Sequence, residues 1–189
     1  MLSGCGNDGP YADGPTDPGA TKSTGAAGTV RYATSSLGRS EPVTIRIPRL
    51  GVTAPVTDLG LRPDGTIEVP SLDRPNLAGW WKEGATPGEE GPSVILGHVD
   101  ARGRAAVFNR LKDLREGDRV MVVRKDGRTA TFAVQRVERV AKTAFPGERI
   151  YAEDLDYAAL RLVTCGGDFD RGTGHYVDNV IAYTRLVRD

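Results

Sequence analysis

Two side-chain types that together carry out acyl transfer stand at the ends of apolar runs in this chain. Cys165 follows Ala159-Leu160-Arg161-Leu162-Val163-Thr164 and precedes Gly166-Gly167. A thiol placed there is held by a regular element yet open to a second molecule, because glycines admit close backbone approach. His98 closes another such run, Ser93-Val94-Ile95-Leu96-Gly97. A thiolate adds to a carbonyl carbon and an imidazolium gives its proton to the departing amine, so this pair suits the breaking and remaking of amide bonds. The other histidine, His175, lies in the polar, glycine-bearing stretch Arg171-Gly172-Thr173-Gly174-His175-Tyr176 and reads as part of a loop wall. A lone cysteine is more often simply buried, and the local sequence leaves that alternative open.

Other chemistries find less support. With Cys165 alone in the part that folds, two histidines and no close-spaced ligand pair, a metal site is not expected. The glycine-rich pieces do not follow a strand and open a helix at phosphate-binding spacing. Lys plus Arg and Asp plus Glu are both 25, so no net field draws the chain to a nucleic acid or an anionic membrane. No stretch reaches the roughly 20 apolar residues that cross a bilayer. Cys5 and Cys165 are far apart, with Cys5 in a low-complexity region, so a disulfide between them is not expected.

The elements that must position the pair are short strands. Val43 to Ile47 alternates with period two, and Pro48 closes it. Pro55-Val56, the turn signal Gly60 to Gly65, and Thr66 to Pro70 follow in strand-turn-strand order. Arg119 to Arg124 and Thr129 to Val137 flank a Lys-Asp-Gly turn and form a hairpin. Ala159 to Thr164 and Asn179 to Tyr183 supply the last strands. Helical spacing of Val107, Phe108, Leu111 and Leu114 predicts a short helix within Ala105 to Leu114, and a second is expected near Trp80-Trp81-Lys82. The fold class is therefore all-β, a barrel or a sandwich with one or two short helices.

Residues 1–40 are rich in Gly, Pro, Ser, Thr, Ala and Asp and bury too little to offset ordering entropy, so they read as a disordered linker ahead of a folded domain over 41–189. At its start Leu2-Ser3-Gly4-Cys5 resembles a bacterial lipobox, which makes a membrane tether through a lipid on Cys5 one reading and coincidence the other.

Leu162-Val163-Thr164-Cys165 resembles the Thr-Leu-x-Thr-Cys signature of the sortases, and Leu96-Gly97-His98-Val99-Asp100 resembles their Gly-His strand end. Thr164 to Asp170, followed by Tyr176 to Ile181, looks like the actinobacterial class F branch. The resemblance spans roughly residues 43 to 187 and implies a closed eight-stranded β-barrel. It also implies an extracytoplasmic, membrane-anchored enzyme of the Gram-positive cell surface that needs no cofactor. Cys165 would cut a Leu-Pro-x-Thr-Gly-like sorting signal of a surface protein through a thioacyl intermediate, with His98 as general acid and base. The acyl group would pass to an amine of a cell-wall precursor or pilin, or to water.

The family's third residue is an arginine at the start of the last strand, and this sequence departs from that pattern. Asn179 immediately precedes Val180-Ile181, and its amide can donate to an oxyanion. Arg171, on the connection after Cys165, is the charged alternative, and spacing does not choose between them. Thr164 flanks the nucleophile as a candidate substrate contact. Phe145, Ile150 and Tyr151, with Pro146, are candidate apolar walls for the signal, although ordinary packing would explain them equally. An L,D-transpeptidase would carry His-Gly directly before its cysteine, where this chain has Val163-Thr164. The departure from arginine also admits a domain that binds surface proteins without cutting them.

Overall fold

The computed structural model describes residues 29–172 and 174–188. Cys5 and most of the expected linker lie outside them. The strands are β1 (Pro42–Ile47), β2 (Val52–Leu59), β3 (Ala78–Trp81), β4 (Gly91–Gly97), β5 (Asp100–Ala101), β6 (Arg104–Ala105), β7 (Arg119–Arg124), β8 (Thr129–Ala141), β9 (Ala158–Asp170) and β10 (His175–Leu186). Among the described residues one α-helix, α1 (Gly147–Tyr151), precedes β9. Eight strands close a barrel in the order β1-β2-β3-β4-β9-β10-β8-β7, and β5 pairs with β6 as a separate hairpin. The pairs β2–β3 and β4–β9 are parallel and the rest antiparallel.

Period-two alternation sends Leu160 and Leu162 of β9, Ile95 of β4 and Val180 and Ala182 of β10 into the barrel, where they meet Ile45, Trp80, Phe108 and Phe132. The alternate residues Val94, Val163, Ile181 and Tyr183 point outward, yet they form a second cluster with Ile150 of α1. Both faces of β4 and β9 are thus covered, which is why these strands read as unbroken apolar runs.

The expected helix near Trp80-Trp81 is instead β3. Trp80 packs inward and donates its indole N–H to the Ala85 carbonyl at 3.0 Å, while Trp81 meets Tyr151 edge-on outside. Between Ala105 and Leu114 only Leu111–Asp113 forms a turn of 3-10 helix. Its apolar spacing arises because Val107, Phe108, Leu111 and Leu114 all enter the barrel core. Thr66 to Pro70 keeps a single bridge, Leu61↔Ile67, rather than a strand.

Residues that composition assigns to the linker partly dock. Tyr32 bridges Val187, Ala33 donates to the Leu186 carbonyl, and Leu37 donates to that of Gly88. Arg124, buried at the end of β7, donates to the carbonyls of Gly38 at 2.6 Å and Pro87 at 2.8 Å. Polar composition hid this docking because backbone bonds and a few isolated side chains make it, Ala33 and Leu37 packing on the core and Arg39 pairing with Glu89.

Candidate active site

Three adjacent strands bring the candidate residues into one row. Cys165 on β9 is the register partner of Asn179 on β10, and directly opposed residues share a face. On the other side of β9, β4 runs parallel with Leu96 opposite Val163. Two residues further on, that register sets His98 opposite Cys165, with strands about 4.8 Å apart. Leu96 and Val163 belong to the outer cluster, so His98, Cys165 and Asn179 follow them on the outer face.

The two glycines after Cys165 are required by the neighbouring strand. A Cβ on Gly166 would lie 2.7 Å from Val180 Cγ2, and one on Gly167, whose φ is +76°, would lie 2.3 Å from Asp178 Oδ2. Asp178 is itself held by Arg139, whose Nε donates at 2.5 Å. The ladder shifts register between Tyr176 and Asp178, beside Gly167.

The His98 ring is oriented from outside the barrel. Its Nε2 lies 2.7 Å from the Pro70 carbonyl oxygen. That oxygen only accepts, so Nε2 carries a proton and Nδ1 is left to exchange one. The His98 carbonyl accepts from the Phe108 N–H, and that of Val99 from the Ala106 N–H and the Asn109 amide, fixing the turn.

A groove of about 220 Å³ runs along the outer face, lined by Ile67, Val69, Leu96, Phe145, Tyr151 and Val163 and reaching Asn179. Phe145 and Tyr151 line this groove. Ile150 is fully buried beneath them and supports the wall rather than forming it. Burial pushes the Tyr151 phenol up to about 12. Thr164 faces the barrel interior, buried, with its hydroxyl unpartnered. It borders a separate cavity of about 750 Å³, shared with Cys165, Val99, Arg139 and Tyr176. Arg171 sits at the exposed tip of the β9–β10 hairpin, beyond Asp170, roughly 15–20 Å of strand from Cys165. His175 opens β10 rather than lying in a loop.

Sequence reasoning missed several contributors. Ile67, Val69 and the Pro70 carbonyl come from the connection between β2 and β3, which no local pattern links to His98. Asp100 and Tyr176 meet through a side-chain hydrogen bond, with the Tyr176 hydroxyl donating to Asp100 Oδ2. A carboxylate two residues from the histidine was the available signal. Among the described residues no cluster of His, Cys, Asp or Glu could hold a metal ion.

The family model for the sortase domain matches residues 45–187. The chain belongs to the sortase family. Its fold aligns with sortase A from Corynebacterium diphtheriae, lid mutant, at 17% identity and a TM-score of 0.61, over 81% of this chain and 73% of that one. Sortase C-1 from Actinomyces oris aligns at 22% identity and 0.60, covering 79% and 76%. A Clostridium perfringens sortase D5 transpeptidase aligns at 21% and 0.57, covering 78% and 79%. At these identities the likeness establishes the barrel, and together with the domain match it supports a sortase-type transpeptidase. No curated protein matches the sequence.

Proposed function

We propose that this sortase is a cysteine transpeptidase of class F type in which Cys165 is the nucleophile, His98 the general acid and base, and Asn179 an oxyanion donor. The reading is carried by the alignment of these three residues on the outer face of β4, β9 and β10, at the end of an apolar groove. The groove suits the Leu-Pro portion of a Leu-Pro-x-Thr-Gly-like signal, with Phe145, Tyr151 and Val69 against the apolar side chains.

The Cys165 thiolate adds to the threonine carbonyl carbon, forming a C–S bond, and the oxygen gathers the negative charge. The Asn179 amide donates to that oxygen from the neighbouring strand. On collapse the C–N bond breaks and the imidazolium gives its proton to the departing amine. An acceptor amine, or water, then passes a proton back to the imidazole as it attacks the thioester, and the thiolate leaves. The acyl donor is a surface protein with a C-terminal sorting signal, and the acceptor an amine of a cell-wall precursor or pilin. The enzyme works outside the cytoplasm, at the surface of a Gram-positive actinobacterium.

Intact-protein mass spectrometry after mixing with a Leu-Pro-x-Thr-Gly peptide library tests this reading. A thioacyl adduct in the wild type that disappears in Cys165→Ala is the expected result. Peptide binding without any adduct would favour a surface-protein binding domain, the reading that the asparagine in place of arginine admits.

A further inference from the structure

The backbone ladder between β4 and β9 stops at Leu96↔Val163, just short of His98 and Cys165. The turn carrying His98 continues directly into β5, whose first residue is Asp100, and Asp100 pairs with Ala105 of β6. Across the gap, Tyr176 on β10 lies opposite Phe169 of β9, and their rings meet edge-on at 5.2 Å and 73°. The Tyr176 hydroxyl donates to Asp100 Oδ2. This bond joins the turn that bears the imidazole to the hairpin that bears the thiol, where the ladder no longer does so.

We infer that Tyr176 and Asp100 form a clasp that sets the approach of His98 to Cys165, making Tyr176 a positioning residue for the acyl transfer proposed above. The inference rests on that reading for its kinetic consequences and on geometry alone for its effect on the thiol. Without this hydrogen bond the turn that bears His98 is no longer tied to the hairpin that bears Cys165, so the approach of the imidazole to the thiol loosens and the thiolate loses stabilisation. With the donor in place the carboxylate is held on the Tyr176 side. The hydrogen bond to Asp100 raises the Tyr176 phenol above its usual range, and the charge of Cys165 adds to the effect. The phenol thus stays protonated, and the clasp closed, across the range in which a thiol and an imidazole titrate. The other charged groups facing this cavity are Arg110, Lys112, Glu138, Arg139 and Asp168, and the Tyr176 hydroxyl donates to Asp100.

The test uses the full chain carrying Cys5→Ser, so that alkylation reports Cys165 alone. Iodoacetamide alkylation rates against pH, and kcat and KM for a sorting peptide, are measured for this parent, Tyr176→Phe, Asp100→Asn and the double variant. Tyr176→Phe and Asp100→Asn are each expected to slow neutral-pH alkylation and lower kcat about tenfold, to shift the alkylation pH profile, and to leave KM unchanged. The double variant is expected to be no worse than either single one. Effects that multiply, or an unchanged pH profile in both single variants, would overturn the clasp. If Tyr176→Phe does not fold, Asp100→Asn carries the same test. A parent that forms no thioacyl adduct, with the alkylation pattern intact, would sink the transpeptidase reading and leave the clasp standing.

Discussion

Gly167 sets the local shape of the strand that carries the thiol, because its φ of +76° is open to few other residues and Asp178 occupies the space a Cβ would take. Gly167→Ala is therefore expected to cost about 2 kcal/mol or more of stability, read as a lowered urea midpoint with an unchanged slope. At the same scale, Asn179→Ala should lower the acylation rate about 10- to 100-fold, whereas Arg171→Ala at the hairpin tip should leave it within about twofold, as quenched-flow acylation would show. Equal losses in both variants would return the oxyanion role to doubt. The apolar runs that precede Cys165 and His98 were legible from sequence, but Cys165 lies within β9 rather than at its end, whereas His98 does follow the last residue of β4. Where Asn179 and Arg171 stand relative to Cys165 was not legible, since it turns on how far β9 continues before the hairpin reverses. Local residue types do not encode that length: β9 runs on to Asp170 through Gly166-Gly167.

Among the elements, α1 does more than its five residues suggest. Ile150 seats it on the outer cluster, and Phe145 and Tyr151 at its two ends form the groove wall, with ring centroids 6.3 Å apart. Truncating either aromatic to Ala is expected to raise KM for a sorting peptide about tenfold or more with a smaller change in kcat, the pattern of lost ground-state contact. The buried Tyr151 phenol also gives an alkaline signature. The unfolded chain releases this proton near pH 10 and the folded chain holds it to about 12, so the unfolded state binds fewer protons in between. That contribution to stability is full below pH 10 and is lost as the pH rises through about 12. Tyr151→Phe should flatten that part of the stability curve in urea titrations across the window. The strands were readable from alternation, whereas the helix expected near Trp80-Trp81 is a strand and the one within Ala105 to Leu114 is a single 3-10 turn. Trp80 and Trp81 belong to opposite faces of a strand, and the run from Val107 to Leu114 owes its spacing to filling the barrel rather than to a helix.

For the molecule as a whole, an all-β barrel or sandwich follows from the many short alternating segments, and closure of eight strands was implied by the sortase resemblance. The docking of residues 32–39 follows from neither, because its backbone bonds are joined by scattered side chains, Ala33, Leu37 and Arg39, that form no periodic pattern. Arg124 concentrates that docking: its guanidinium, almost fully buried, serves Gly38, Pro87 and Asp126 together. Arg124→Met is expected to destabilise the fold by about 2–4 kcal/mol, since it strips donors from carbonyls in a dry site, and differential scanning calorimetry would register the fall in Tm. Antiparallel pairing puts the end of β7 at one pole of the barrel and the end of β8, beside Asn179, at the other. The molecule therefore has a polarity: residues 32–39 lie on the pole away from the thiol. The docked segment thus leaves the groove uncovered, and an incoming polypeptide reaches the thiol without displacing it.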